Sequence, residues 1–229
     1  MLFRSPYRQV PDSVDFQLVR AKLRAMQGTA AEARRDFETQ LQEKKFTSEA
    51  ATRYGLAYAL YRGRDWAGAE REIEAVRRLR ISSPIPERLL ADTRIAQGDA
   101  NGGLRVYRDA MVRFPLNQGL LYGYGSALIG AGYFDEALRF VEAQLQSYPE
   151  DLRFHKMRAE SNAGLGRRAQ QHQALAEVFA LQGQTANAVH QLELAQKAGD
   201  ANFYEMSAID ARLRELKLRQ LEELKEKRN

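Results

Sequence analysis

Gly132-Tyr133-Phe134-Asp135-Glu136-Ala137 sets a helix-ending glycine, an aromatic and a helix-opening alanine side by side. The arrangement recurs. Thirty-four residues earlier stands Gly98-Asp99-Ala100-Asn101-Gly102-Gly103. A further 34 back is Arg64-Asp65-Trp66-Ala67-Gly68-Ala69, with its glycine displaced to Gly63. Gly28-Thr29-Ala30-Ala31-Glu32-Ala33 lies 36 residues before that, and Gly166 lies 34 residues after Gly132. Self-similarity at such a period signals stacked supersecondary units.

Other positions keep the same step. Small residues recur at Ala21, Ala57, Ala91, Gly125 and Ala159, and Phe37, Ile73, Tyr107, Val141 and Leu175 recur in the second half of each unit. Pro115 and Pro149 close two units, each after an aromatic. The unit containing Leu121, Tyr124-Gly125, Leu128, Ala137, Val141 and Pro149 resembles the tetratricopeptide repeat at nearly every position. That resemblance implies an all-α superhelix, an α-α solenoid of about five helix pairs, with units starting near Val14, Ala50, Pro84, Gln118 and Leu152.

Physics accounts for these residue types. The small residues stand where two backbones approach most closely, and the large ones fill the holes between helices. Glycine takes the left-handed conformation that ends a helix, and proline stops the next from continuing. One hairpin cannot bury its apolar face alone, so neighbours must stack. After Gly166 the step halves to Gly183, which predicts three successive helices over 152–164, 168–182 and 185–198. Phe203, Met206, Ile209, Leu213, Leu216 and Leu218 then keep helical spacing and predict a capping helix with a charged, frayed end. Residues 1–13 read as a linker from an upstream domain, 14–199 as repeats and 200–229 as the cap.

Composition narrows the function. Of 229 residues 44% are apolar and 28% charged, ordinary for a chain that buries a core. A net charge of +5, spread along the chain, is a weak signature for nucleic acid. No cysteine is present, which excludes disulfides and thiolate metal sites. No apolar run approaches the roughly 20 residues that span a bilayer, and Met1-Leu2-Phe3-Arg4-Ser5-Pro6-Tyr7 lacks a signal-peptide apolar core.

No catalytic constellation is found. His155, His172 and His190 are spaced 17 and 18 apart and form no His-Glu-x-x-His, so no metal site is expected. Gly123-Tyr124-Gly125 lies inside a helical pattern rather than after a strand, so it is no dinucleotide fingerprint. What remains is a binding surface. In stacked units of this kind the first helices line a concave face, and their outward positions supply Tyr54, Tyr58, Tyr61, Arg62, Arg88, Asp92, Tyr122, Ser126, Arg153 and Lys156. Tyrosine and arginine are enriched at binding hot spots; the same tyrosines would equally serve to seal helix seams. The sixth positions are Gly55, Leu89, Gly123 and Met157 rather than asparagine, which argues against a carboxylate clamp and for an extended apolar segment as ligand.

A second resemblance is narrower. Tyr7-Arg8-Gln9-Val10-Pro11-Asp12-Ser13-Val14-Asp15-Phe16, together with Gln171-His172-Gln173-Ala174-Leu175-Ala176-Glu177 and the run from Phe203-Tyr204-Glu205 to Ile209-Asp210-Ala211-Arg212-Leu213-Arg214-Glu215, resembles periplasmic BepA-type (beta-barrel assembly-enhancing) zinc metalloproteases. It covers their C-terminal repeat domain alone. It implies that the zinc and the catalysis belong to an upstream domain, that this chain carries no cofactor, and that its setting is periplasmic. The implied partners are proteins or extended segments, among them outer-membrane protein substrates and their assembly machinery. Alternatives are a free-standing cytoplasmic adaptor and, from the pI of 9.4, an RNA- or peptidoglycan-associated helical repeat.

Overall fold

The computed structural model describes residues 13–226; residues 1–12, most of the expected linker, and 227–229 lie outside it. The described residues form twelve α-helices and no strand. They divide into two compact units, 1–120 and 121–229, with the division inside the seventh helix. The period suggests one continuous array. Repeat contacts reach only nearest neighbours, so a division within an array costs few of them, and four glycines (119, 123, 125 and 130) weaken the helix that carries it.

The first unit holds α1 (Val14–Ala25), α2 (Ala30–Gln42), α3 (Glu49–Arg62), α4 (Trp66–Arg78), α5 (Ile85–Ala96) and α6 (Ala100–Arg113). Helix α3 packs on α1, α2 and α4, and α5 on α4 and α6. The start signals are local. Thr29 and Glu32 form a reciprocal capping box. Asp65 and Asp99, one period apart, each accept a backbone N–H, from Gly68 at 2.9 Å and Gly102 at 2.8 Å. Ala57, Ala69, Ile73, Ala91 and Tyr107 are buried at the repeating positions.

The second unit holds most of α7 (Gln118–Gly130), then α8 (Phe134–Ser147), α9 (Leu152–Gly164), α10 (Arg168–Leu181), α11 (Thr185–Lys197) and α12 (Phe203–Glu226). Arg167 cannot cap α10. Instead Asp200, from the connection before α12, accepts the N–H groups of Arg168 at 2.6 Å and Ala169 at 3.0 Å. Helix α12 lays Ile209, Leu213 and Leu216 on a small-residue surface of Ala169, Ala176, Ala188 and Ala195. The Arg212 guanidinium grips both carboxylate oxygens of Glu177, at 2.9 and 2.7 Å. Three apolar positions fall elsewhere than their spacing suggests. Phe203 and Leu218 are exposed, because the inner stripe of α12 is confined to residues 209–216. Leu175 is only half-buried, since Ala174 and Ala176 take the inward positions of α10.

Two substitutions test the close approaches. A Cβ at Gly103 would lie 2.7 Å from the carbonyl oxygen of Ala91, which cannot move alone. At Gly125 the nearest atom, at 2.9 Å, is the flexible Met157 Sδ. Gly103→Ala is therefore expected to lower stability by about 1–3 kcal/mol in urea unfolding, despite alanine's better helix propensity. Gly125→Ala should be near neutral. Arg64 occupies a left-handed position, φ 61°, where the other repeats place glycine. Arg64→Gly relieves that strain and should raise stability by roughly 0.5–1 kcal/mol by the same measurement.

Candidate functional site

In the first unit α1, α3 and α5 enclose an open cleft of about 360 Å³ lined by Val19, Lys22, Tyr54, Tyr58, Tyr61, Ile85, Arg88, Leu89 and Asp92. Helical spacing on α3 brings its three tyrosines to one wall. Tyr54 is buried, and its phenol is pushed up by burial and by Tyr58. Tyr58 and Tyr61 are half-buried, with ring centroids 6.0 Å apart, and Tyr61 meets Trp66 edge-on at 5.4 Å. The wall is thus largely aromatic.

Charges sit opposite. The Lys22 Nζ lies 5.0 Å from the Tyr58 ring centroid. Burial, then repulsion from Arg88, lowers its pKa. Asp92 accepts a hydrogen bond from the Tyr107 hydroxyl and lies 3.7 Å from Arg88 Nε. Burial raises its pKa; the Tyr107 bond, Arg88 and Lys22 oppose the rise. Two cations, a costly carboxylate and an apolar wall suit a ligand with both apolar and polar groups.

Five of the ten residues singled out by sequence thus share one cleft: Tyr54, Tyr58, Tyr61, Arg88 and Asp92. Arg62 does not join them. Its guanidinium is spent on the carbonyls of Ala25 and Gly28, tying α3 to the end of α1. Four others lie in the second unit. There Tyr122 acts as a seam: its hydroxyl donates to Asp151, the N-cap of α9, and its ring lies 5.0 Å from Phe154. Burial, then the Asp151 bond, pushes its phenol up to about 12. The Arg153 guanidinium covers that ring at 4.8 Å, while Ser126 and Lys156 are exposed. Lys22 was missed, although it is the ninth position of the unit starting at Val14, where the same outward-position rule applies.

A larger cleft of about 590 Å³ lies beside α4, α5 and α6, with Arg77, Arg78, Arg80 and Arg113 on its walls. Buried Glu87 pins Arg77 at 3.3 Å and Arg113 at 2.8 Å. No signal beyond basic residues in last helical turns marked it, and such residues commonly answer the helix dipole. Among the described residues no cluster of three or more His, Cys, Asp or Glu could hold a metal ion. His155 is buried with Nε2 2.8 Å from the carbonyl of Pro149, and His172 pairs with Gln191.

The profile of the tetratricopeptide repeat family matches residues 94–160. The fold is that of tetratricopeptide-repeat proteins. YrrB, described as a protein of this type with an unusual peptide-binding site, superposes with a TM-score of 0.54 at 17% identity, over 80% of this chain and 93% of that one. MamA from Desulfovibrio magneticus RS-1 gives 0.53 at 17% identity, over 76% and 97%. The C-terminal part of a repeat protein from Cytophaga hutchinsonii gives 0.59 at 14%, over 80% and 77%. At these identities the likeness concerns the fold. No curated protein matches the chain.

Asp92 makes the cleft sensitive to pH. Its pKa in the folded chain lies above the ordinary 3.8, so the folded state holds that proton more tightly than the unfolded one. The stability it contributes is fully present below the unfolded value and is lost as pH rises through the folded value. Asp92→Asn, neutral throughout, should therefore gain on the parent as pH rises from below 3.8 through the raised folded value in denaturant titrations. A gain in the opposite sense would show that pairing with Arg88 and Lys22 outweighs burial.

Proposed function

We propose that this chain is a non-catalytic protein-interaction scaffold that captures an apolar, extended segment of a partner protein in the α1–α3–α5 cleft. The observation that carries this reading is the tyrosine wall facing Lys22 and Arg88. Aromatic rings with polar tips gain large contact area at little entropic cost, which is why they dominate binding hot spots. A peptide-binding site named for YrrB is consistent with such a use of this fold.

The finer reading follows the resemblance at 7–16, 171–177 and 203–215. In it the chain is the substrate- and partner-holding domain of a periplasmic metalloprotease acting in outer-membrane protein assembly and quality control. Zinc and peptide cleavage would then belong to a separate domain. A His-Glu-x-x-His motif encoded upstream in the same reading frame would support this, and an in-frame stop there would remove it.

The cleft itself is tested by Tyr58→Ala beside Tyr122→Ala, with an unfolded outer-membrane β-barrel protein as the fluorescent probe. Tyr58→Ala should keep its circular dichroism and weaken capture about tenfold, roughly 1.4 kcal/mol. Tyr122→Ala should lower the melting temperature, since it removes a seam, and leave the affinity within about twofold. Undiminished capture by Tyr58→Ala would sink the cleft as the binding surface.

A further inference from the structure

The cleft of about 590 Å³ beside α4, α5 and α6 has the size of a ligand site, roughly 300–1,000 Å³. Arg77, Arg78, Arg80 and Arg113 line it, and its apolar lining is Val76, Ile81, Pro86 and Phe114. Buried Glu87 gathers guanidinia from two helices: its Oε1 meets Arg77 Nε at 3.3 Å and Arg113 Nη2 at 2.8 Å. Arg77 is fully spent, since Glu74 holds it too, at 2.7 Å. Arg78 and Arg80 are exposed, and their side chains have no partner among the described residues. The helix dipole acts within the last turn, so it does not account for Arg80, two residues past the end of α4. The other acids of these helices are taken or lie elsewhere. Glu70 binds Arg94, Glu72 binds Arg53, Asp99 caps α6, and Asp92 lines the tyrosine cleft. Asp109 is exposed on α6, lines neither cleft, and shares its helix with Arg105 and Arg108. Four arginines set against Glu74 and Glu87 leave two positive charges uncompensated.

We propose that this cleft binds an extended acidic segment of a partner protein, with two carboxylates and an apolar residue between them. Two carboxylates match the uncompensated charge. The planar guanidinium fork suits a carboxylate, and the contacts of Glu87 show that this cleft accepts one. The apolar lining receives the side chain between the two acids. Nucleic acid fits less well, because a polyanion enlists many phosphate contacts, about six to ten, and only Arg78 and Arg80 are unpaired here. A second copy is not favoured either. The acidic-apolar stretch 221–224 of α12 is flanked by Arg219 and Lys225, and Glu223 already binds Thr185 and Arg219. The site is distinct from the tyrosine cleft: Pro86 and Glu87 of α5 line this one, Arg88 and Asp92 the other.

The probes are two short labelled peptides, with Glu-Leu-Glu or Gln-Leu-Gln at the centre. Fluorescence anisotropy with the full chain should show the glutamate peptide binding at least about tenfold tighter than the glutamine one, with salt weakening it. Arg78→Glu should cost about tenfold or more without loss of helical signal. Arg80 holds a left-handed backbone, φ 53°, so Arg80→Gly gives a second variant in which folding and binding part. It should raise the melting temperature by a few degrees and still weaken the glutamate peptide several-fold. Equal binding of the two peptides, or undiminished binding by both variants, overturns the proposal. So does a loss on Tyr58→Ala without one on Arg78→Glu, which would place the peptide in the tyrosine cleft. A single-stranded RNA oligonucleotide that binds more tightly than the glutamate peptide, and is lost in Arg78→Glu, would assign the cleft to nucleic acid and overturn it as well. A dimer in sedimentation that dissociates in Arg78→Glu would assign it to a second copy, with the same result.

Discussion

At Gly103 no room remains for a side chain. A Cβ there would lie 2.7 Å from the carbonyl oxygen of Ala91 and 2.5 Å from Cγ1 of Ile95. The same exclusion acts at Gly55, which would meet the Phe37 ring at 2.4 Å, and at Gly164, which would meet Phe134 at 2.4 Å. These contacts fix how closely successive helices approach, and everything larger follows from that distance. Ile73, Tyr107 and Val141 become fully buried only because the backbones beside them are this near. Buried area of this kind supplies the stability that short helices lack in isolation.

Because the constraint repeats, the fold was largely legible in the sequence. Alanine or glycine at one step and large apolar residues at another can be read without knowing what they touch. The capping aspartates 65 and 99 share that step, and so do the glycines with positive φ at Gly98, Gly132 and Gly166. Legibility ended where the chain departs from the period. Asp200 caps α10 from a separate connection, over a sequence separation that no local signature reports. Phe203 has helical spacing with Met206 and Ile209, yet it is exposed and the fully buried residues of α12 begin at Ile209. Periodicity gives the face of a helix, not the length of the neighbour beneath it.

The candidate site was less legible, for a different reason. Outward positions on first helices give the side chains that leave the hairpin, but not where they end. Arg62 and Arg88 hold similar outward places. One guanidinium turns back to the carbonyls of Ala25 and Gly28, and the other reaches the cleft. Tyr122 and Tyr58 likewise look alike in sequence. What separates them is an acceptor 29 residues away, since Asp151 has its carboxylate in place as the α9 N-cap and binds the Tyr122 hydroxyl. A long polar side chain is spent on structure wherever a fixed acceptor lies within reach, and that acceptor is a product of the fold.

The same reasoning makes the two outer faces of α1 and α12 chemically distinct. Helix α12 covers α11 and is held by charge: Arg212 on Glu177, Lys217 on Glu193 at 2.8 Å, and Thr185 on Glu223 at 2.6 Å. Such pairs orient a helix without demanding further cover. On α1, Arg24 pairs with Asp36 of α2 at 2.7 Å, and the stripe beyond it is apolar. Scattered exposed apolar residues need no explanation, whereas a contiguous stripe in seam register does. The register that buries Thr52, Leu89 and Phe154 elsewhere carries apolar side chains on α1 as well, so the repeat pattern rather than exposure sets the residue types at these positions.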